Sequence, residues 1–261
     1  MKHSKKAVLI ISFGTTFERG MQAIENIECK FRGAFSEYDV FRVFTSGMII
    51  KKLKRTKGIE IMDMDKALDD LYHQGYTEVL CQPTHIINGM EFEKIKNAAI
   101  PYQKLFQKLI IGKPLLTSEE NFRDTAKILL NQMPEYKKEE AVVFMGHGST
   151  HFANGAYSQM ENMFRFLGRE QVYVGTVEGF PGLSYIEKRL KEKQIRKVYL
   201  MLMMVVEGEH AQNDLAGKEN SWKSRLAEQG YEVSTSITGM GMMDEIGQLY
   251  VEQMKKQRGV E

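Results

Sequence analysis

Apolar residues run unbroken from Ala7 to Ile11 and stop at Ser12-Phe13-Gly14-Thr15. A short run that is apolar at every position, not at alternate ones, is the pattern of a strand buried on both faces, as in a parallel sheet. An amphipathic stretch from about Phe17 to Phe35 follows. Val40–Phe44 then predicts a strand, Gly47–Arg55 a short basic helix, Asp65–His73 a helix ended by Gly75, and Val79–Thr84 a third strand. Glu91–Lys108 has helical character interrupted by Pro101, Leu109–Gly112 resembles a short strand, and Phe122–Gln132 a helix stopped near Pro134. Strand and helix patterns alternate throughout, which predicts an α/β architecture with parallel sheet.

The pattern then restarts. Lys5-Lys6-Ala7-Val8-Leu9-Ile10-Ile11-Ser12-Phe13-Gly14-Thr15 resembles Glu139-Glu140-Ala141-Val142-Val143-Phe144-Met145-Gly146-His147-Gly148-Ser149, and the stretch from Glu78 to Gly89 pairs with that from Lys197 to Gly208. The order and spacing of the pairs predict an internal duplication, with an N-terminal lobe over 1–135 and a C-terminal lobe over 136–261. The cleft between two such lobes is the default place for a ligand.

Three residues of the second half carry candidate chemistry. His147 lies in Gly146-His147-Gly148-Ser149 after an apolar run. Glu178 ends the run from Val172, and His210 closes the run that begins at Leu202. The carboxyl ends of parallel strands form the crevice where ligands bind. Two imidazoles and a carboxylate converging there make an open site for a divalent transition metal. Each residue also has a plainer reading: His147 as a local cap, Glu178 as a solvated strand end, His210 as a helix N-terminal residue. On the internal pairings His147 corresponds to Phe13 and His210 to Glu91, so the repeat itself does not require imidazole at either place. That shifts the balance toward chemistry housed in the second lobe. Glu207 and Glu209 add negative potential near His210, and the glycines beside His147 leave room for close approach.

His85 sits at a strand end of the first lobe, as a cleft residue or a buried structural one. His151 reads as a helix start, and His3 and His73 as exposed surface. Lys51, Lys52, Lys54, Arg55 and Lys57 put five cations within seven positions. They form a solvated helix face or a patch that draws in a polyanion. Met201, Met203 and Met204 read as core. The loop Ser12–Thr16 is neither a Walker loop nor a dinucleotide fingerprint, so a nucleotide enzyme is unsupported.

Bulk properties narrow the rest. The chain has 261 residues, 43% of them hydrophobic and 27% charged, with a formal charge of +2. These values fit a globular protein with a sizeable core and argue against a general nucleic-acid binder. Cys29, on a helical pattern, and Cys81, on a buried strand, predict two free thiols in a reducing cytoplasm. The apolar run after Met1–Lys6 is too short for a signal peptide, and no stretch approaches a membrane span.

These residues together resemble the anaerobic cobalt chelatases within the class II chelatases. The resemblance covers nearly the whole chain, through Ile11–Thr15, Phe44–Ile50, His85–Gly89, Val143–Gly148, Gly208–Asp214 and Ser221-Trp222-Lys223. Ser149 stands where many relatives carry alanine. The resemblance implies two similar Rossmann-like lobes with the active site between them. It further implies ATP-independent insertion of a divalent metal, Co²⁺ first, into sirohydrochlorin, with no organic cofactor and with the metal as substrate. The implied metal ligands fall on His147, Glu178 and His210, with the two histidines also accepting pyrrole protons. Phe13, Gly14, Thr15, His85, Lys51 and Arg55 are expected around the macrocycle. Fe²⁺ or Ni²⁺ in place of Co²⁺, and a non-catalytic metal or tetrapyrrole carrier, stand as alternatives. A homo-oligomer is compatible with the sequence.

Overall fold

The apolar run at 7–11 becomes the centre of a parallel sheet. In the computed structural model, which describes residues 5–259, β1 (Lys5–Ser12) is followed by α1 (Glu18–Ala34), β2 (Asp39–Phe44), α2 (Gly47–Lys57), α3 (Met64–His73), β3 (Tyr76–Pro83), α4 (Met90–Ala99), β4 (Lys108–Ile111) and α5 (Glu119–Gln132). His3 lies outside the described residues. The second half runs β5 (Glu140–Gly148), α6 (Gly155–Phe166), β6 (Val172–Glu178), α7 (Leu183–Glu192), β7 (Lys197–Met203), α8 (Trp222–Glu228), β8 (Glu232–Ser236) and α9 (Asp244–Arg258).

Two four-stranded sheets result, ordered β2-β1-β3-β4 and β6-β5-β7-β8, with every pairing parallel. The same strand order in both halves is the topology that an internal duplication requires. In each sheet the two central strands are paired along both edges, and most of their residues are buried on either face. Ala7, Leu9 and Ile11 pack with Val79 and Cys81 against Leu68, Leu71 and Ile95. Val8 and Ile10, alternating with them, are just as fully buried. In the second half Val143, Met145, Leu200 and Leu202 pack on Ile186, Leu190, Trp222 and Leu226. Met201 and Met203 are buried core residues, as their strand pattern suggested.

Helix boundaries follow local chemistry. Ser46 starts α2 by accepting from the Ile49 amide, and Gly58, at φ 65°, ends it. Asp63 and Ser118 cap α3 and α5 in the same way, and Ser221 with Ser224 forms a capping box at α8. Pro101 sits in a single 3₁₀ turn, Ile100–Tyr102, so the helical character expected to Lys108 stops at Ala99.

By contacts the chain divides into two compact units, 1–117 with 241–261, and 118–240. This grouping differs from a single division at 135/136. The last helix of the second half, α9, packs on α1 in the first unit, where the Tyr250 hydroxyl donates to the Thr84 carbonyl at 2.9 Å. The last helix of the first half, α5, packs on α6 in the second. Amphipathic periodicity shows that a helix has an apolar face, not which sheet that face covers.

Gly14 closes β1 at φ 103°, and a Cβ there would stand 2.6 Å from the Phe44 ring. Gly14→Ala combines a left-handed backbone with a clash against a buried aromatic. We expect a loss of about 2–4 kcal/mol, read as a melting-temperature drop of roughly 5–10 °C.

Candidate active site

The Gly146-His147-Gly148 turn is built by its glycines. A Cβ on Gly146 would lie 2.3 Å from the Tyr157 ring, and one on Gly148 would lie 1.6 Å from the Glu178 carbonyl oxygen. The glycines therefore admit protein neighbours: an aromatic of α6 beneath β5, and the end of β6 beside it. Gly148 also adopts φ 85°, which glycine takes without steric cost. Tyr157 is buried, and burial pushes its phenol up to about 12 despite hydrogen bonds from the Gly148 and His147 backbone. On this base the His147 side chain stands exposed at the strand end.

Glu178 ends β6, exposed, in register with Gly148. His210 is not a strand end; it takes the helix N-terminal place that was its plainer reading. Strand β7 stops at Met203, and His210 lies in a helical turn (φ −62°, ψ −38°) leading directly into a π-helical segment, Ala211–Leu215. The apolar run continued past the strand because Val205 is buried in the connecting segment. Single π turns inside helices are frequent at functional sites.

The structure brings the two histidines together. Their ring centroids are 4.6 Å apart and their planes nearly perpendicular, at 87°. His147 Nδ1 lies 2.9 Å from the Gly148 carbonyl oxygen, and His210 Nδ1 lies 2.6 Å from Asp214 Oδ2. A carbonyl and a carboxylate only accept, so each Nδ1 carries the proton and each neutral ring keeps its lone pair on Nε2. Both Nε2 atoms are thereby left without a proton of their own. Among the described residues no group of three or more His, Cys, Asp or Glu side chains is gathered closely enough to hold a metal ion. The imidazole pair is formed, and the Glu178 carboxylate is not drawn in to complete a set.

Asp214, one helical turn beyond His210, is the carboxylate that the His210 ring meets, where the sequence had pointed to Glu207 and Glu209. Its i, i+4 spacing from His210 was the available signal. Glu207 is buried and accepts from the Gln212 amide at 3.0 Å. Ser149 and Thr150 do not cap a helix. His151 does so for the short turn Phe152–Asn154, accepting from the Ala153 amide.

The remaining candidates lie in the first unit. Phe13 is exposed at the end of β1, Lys51 and Arg55 are exposed on α2, and Gly14 makes the turn described above. Thr15 is buried and accepts from the Phe17 amide. His85 has both ring nitrogens sealed from solvent without a hydrogen-bond partner. Burial pulls its pKa from 6.5 down to about 4, against the opposing pull of Glu91. Glu91 itself accepts from Thr45 at 2.9 Å and pairs with Lys94. Elsewhere on α2, Lys54 pairs with Glu60 and Lys57 donates to the Thr16 carbonyl. Cys29 is exposed, Cys81 buried, and both are free.

The chain matches the family described as Cobalt chelatase (CbiK) over residues 6–258. It is 38% identical to the sirohydrochlorin cobaltochelatase of Salmonella typhimurium, across 95% of this chain and 94% of that protein. The chain belongs to the cobalt chelatase (CbiK) family. A second relative, the sirohydrochlorin cobaltochelatase CbiKC of Nitratidesulfovibrio vulgaris, is 31% identical over 90% of this chain and 84% of its own length. Among solved structures the chain resembles SirB from Bacillus subtilis with Fe³⁺, at TM-score 0.63 and 12% identity, covering 97% of this chain and 95% of that one. It also resembles a multi-domain protein of Deinococcus radiodurans with structural similarity to chelatases, at TM-score 0.65 and 12% identity, covering 98% of this chain and 56% of that one. At such identity these two establish the fold alone. Membership of the CbiK family makes the chain a metal chelatase, for which the metal ion is a substrate. Among the described residues no helix is long and apolar enough to cross a membrane.

The sealed imidazole of His85 predicts a pH effect on stability. Its folded pKa lies below the unfolded value, so between pH 6.5 and about 4 the unfolded chain binds the proton that the folded chain refuses. Stability therefore falls as pH drops through that window, and the contribution levels off below it. Denaturant titrations of His85→Leu across the window should show about one proton fewer taken up on unfolding than in the parent. An unchanged slope would place the proton elsewhere.

Proposed function

We propose that this chain inserts Co²⁺ into sirohydrochlorin without ATP, in cobalamin biosynthesis, and that His147, Glu178 and His210 handle the metal. The observation that carries the site assignment is the pair of imidazoles whose Nδ1 atoms are both committed to acceptors, leaving two Nε2 lone pairs for one ion. Family membership carries the reaction.

Insertion requires a partly dehydrated metal to exchange water for four ring nitrogens while two pyrrole protons depart. Two nitrogen ligands suit a borderline divalent ion and leave most of its coordination sphere for the macrocycle. Glu178, exposed on the strand paired with that of His147, supplies the third donor and offsets charge. As the ion passes to the ring, the vacated Nε2 atoms become acceptors for pyrrole protons. Asp214 steadies His210 throughout. It holds the ring orientation and tautomer and stabilises the imidazolium formed when Nε2 takes a proton. Phe13, Lys51 and Arg55 are assigned to the macrocycle, the aromatic to its face and the cations to its carboxylates. Gly14, Thr15 and His85 act by shaping the backbone around them. The two free thiols suit a cytoplasmic setting.

The decisive experiment is an anaerobic multiple-turnover assay with sirohydrochlorin and Co²⁺, Fe²⁺ or Ni²⁺ supplied separately, following the free-base absorbance. The expected result is many equivalents converted per chain, fastest with Co²⁺. Conversion limited to a single equivalent would mark a carrier, and preference for another ion would reassign the metal. In the same assay His210→Ala should lose insertion while its melting curve stays close to that of the parent. Asp214→Ala should weaken activity or metal affinity by about 10–100-fold. Full activity in His210→Ala would remove that residue from the mechanism.

A further inference from the structure

Between the strand end that carries His147 and the one that carries Glu178 lies a side chain with no role so far. Asn154 follows β5 in the short turn before α6, and only 9% of it is exposed. Its Oδ1 accepts from the Ser149 amide at 2.9 Å, two residues beyond His147. Its Nδ2 donates to the Phe180 carbonyl at 2.5 Å, two residues beyond Glu178. One carboxamide thus uses its acceptor on the loop after β5 and its donor on the loop after β6. Gly179, between Glu178 and Phe180, adopts φ 100°, and a Cβ there would meet the Ser149 carbonyl at 2.8 Å and the Asn154 amide at 3.2 Å. The loops are close-packed around this group.

We propose that Asn154 is a positioning residue for the metal substrate, holding the backbone of Glu178 at a fixed offset from that of His147. The inference rests on the assignment of His147 and Glu178 to the metal. The loops already touch at Gly148 and Glu178 through the strand register. That contact fixes one point. The Asn154 bridge supplies a second, beyond both functional residues, and two points restrict rotation of one loop against the other where a single point allows it. A carboxamide is the suitable group because the bridge needs an acceptor for an N–H and a donor for a C=O. A carboxylate at the same place would set a negative oxygen against the Phe180 carbonyl.

The test uses the full chain and steady-state insertion of Co²⁺ into sirohydrochlorin, varying metal and macrocycle in turn, for Asn154→Ala, Asn154→Asp, Glu178→Ala and the double variant Glu178→Ala with Asn154→Ala. Removing the bridge should raise the KM for metal about tenfold or more while the KM for macrocycle stays within about twofold. If Asn154 acts through Glu178, its removal adds nothing in the Glu178→Ala background, a non-additivity expected of groups in one network. Should Asn154→Ala fail to fold, the same-sized Asn154→Asp carries the test, since it keeps the Ser149 bond and breaks the Phe180 bond. An unchanged metal KM in a folded variant overturns the proposal. So does a parallel rise in both KM values with a lowered melting temperature, or full additivity with Glu178→Ala. The underlying metal assignment fails separately: Glu178→Ala would then leave the metal KM untouched, whatever Asn154 does.

Discussion

Much of the site depends on one missing side chain. Because Gly148 has no Cβ, the end of β5 can lie directly against the Glu178 carbonyl, where a methyl group would sit 1.6 Å from oxygen. That approach lets β5 and β6 stay paired to their last residues. With Gly146 making room for Tyr157 on the other side of His147, the histidine is carried on a backbone fixed from two directions, while its ring reaches solvent. The carbonyl of Gly148 itself accepts from Nδ1–H, which leaves the ring's lone pair on Nε2. A single small residue thus sets strand register, loop path and tautomer.

The duplicated topology sets equivalent positions of the two copies side by side. Both sheets place an exposed residue at the end of a central strand, Phe13 immediately after β1 and His147 near the end of β5. Both follow the next central strand with a helical turn bearing a polar residue, Glu91 or His210. In the first unit Glu91 is taken up by Thr45 and Lys94. In the second, His210 turns to Asp214 and presents its other nitrogen. Equivalent positions diverge because the sheet fixes where a side chain starts, whereas its neighbours fix what it can bind.

Strands β1 to β7 were legible as short apolar runs alternating with helical stretches, and the repeat because those runs recur in order, whereas β8, a polar and mostly exposed edge strand, left no such run. Helix ends followed Ser46, Gly58, Asp63 and Ser118, whose capping chemistry is local. What escaped was non-local. The apolar run to Val206 hid the end of β7, since burial of Val205 in a connecting segment mimics strand continuation. No sequence period tells that α5 and α9 each pack with the other half of the chain. The i, i+4 spacing of Asp214 follows from the helix-start reading of His210, not from its strand-end reading. Asn154 was out of reach, because one of its two partners, Phe180, lies 26 residues away on another loop.

The partners of the two histidines differ in kind, and this suits a metal that must leave. His147 bonds to a neutral carbonyl, His210 to a carboxylate. A carboxylate partner raises the basicity of the ligating nitrogen and stabilises a positive ring, whereas a carbonyl does so more weakly. The pair is therefore asymmetric: the His210 ring is held by a carboxylate, the His147 ring by a neutral carbonyl. A resident metal would gain from two equally strong anchors. For the transfer we propose, unequal partners allow the ion to leave one histidine before the other, which frees one Nε2 lone pair for a pyrrole proton while the second still holds the ion.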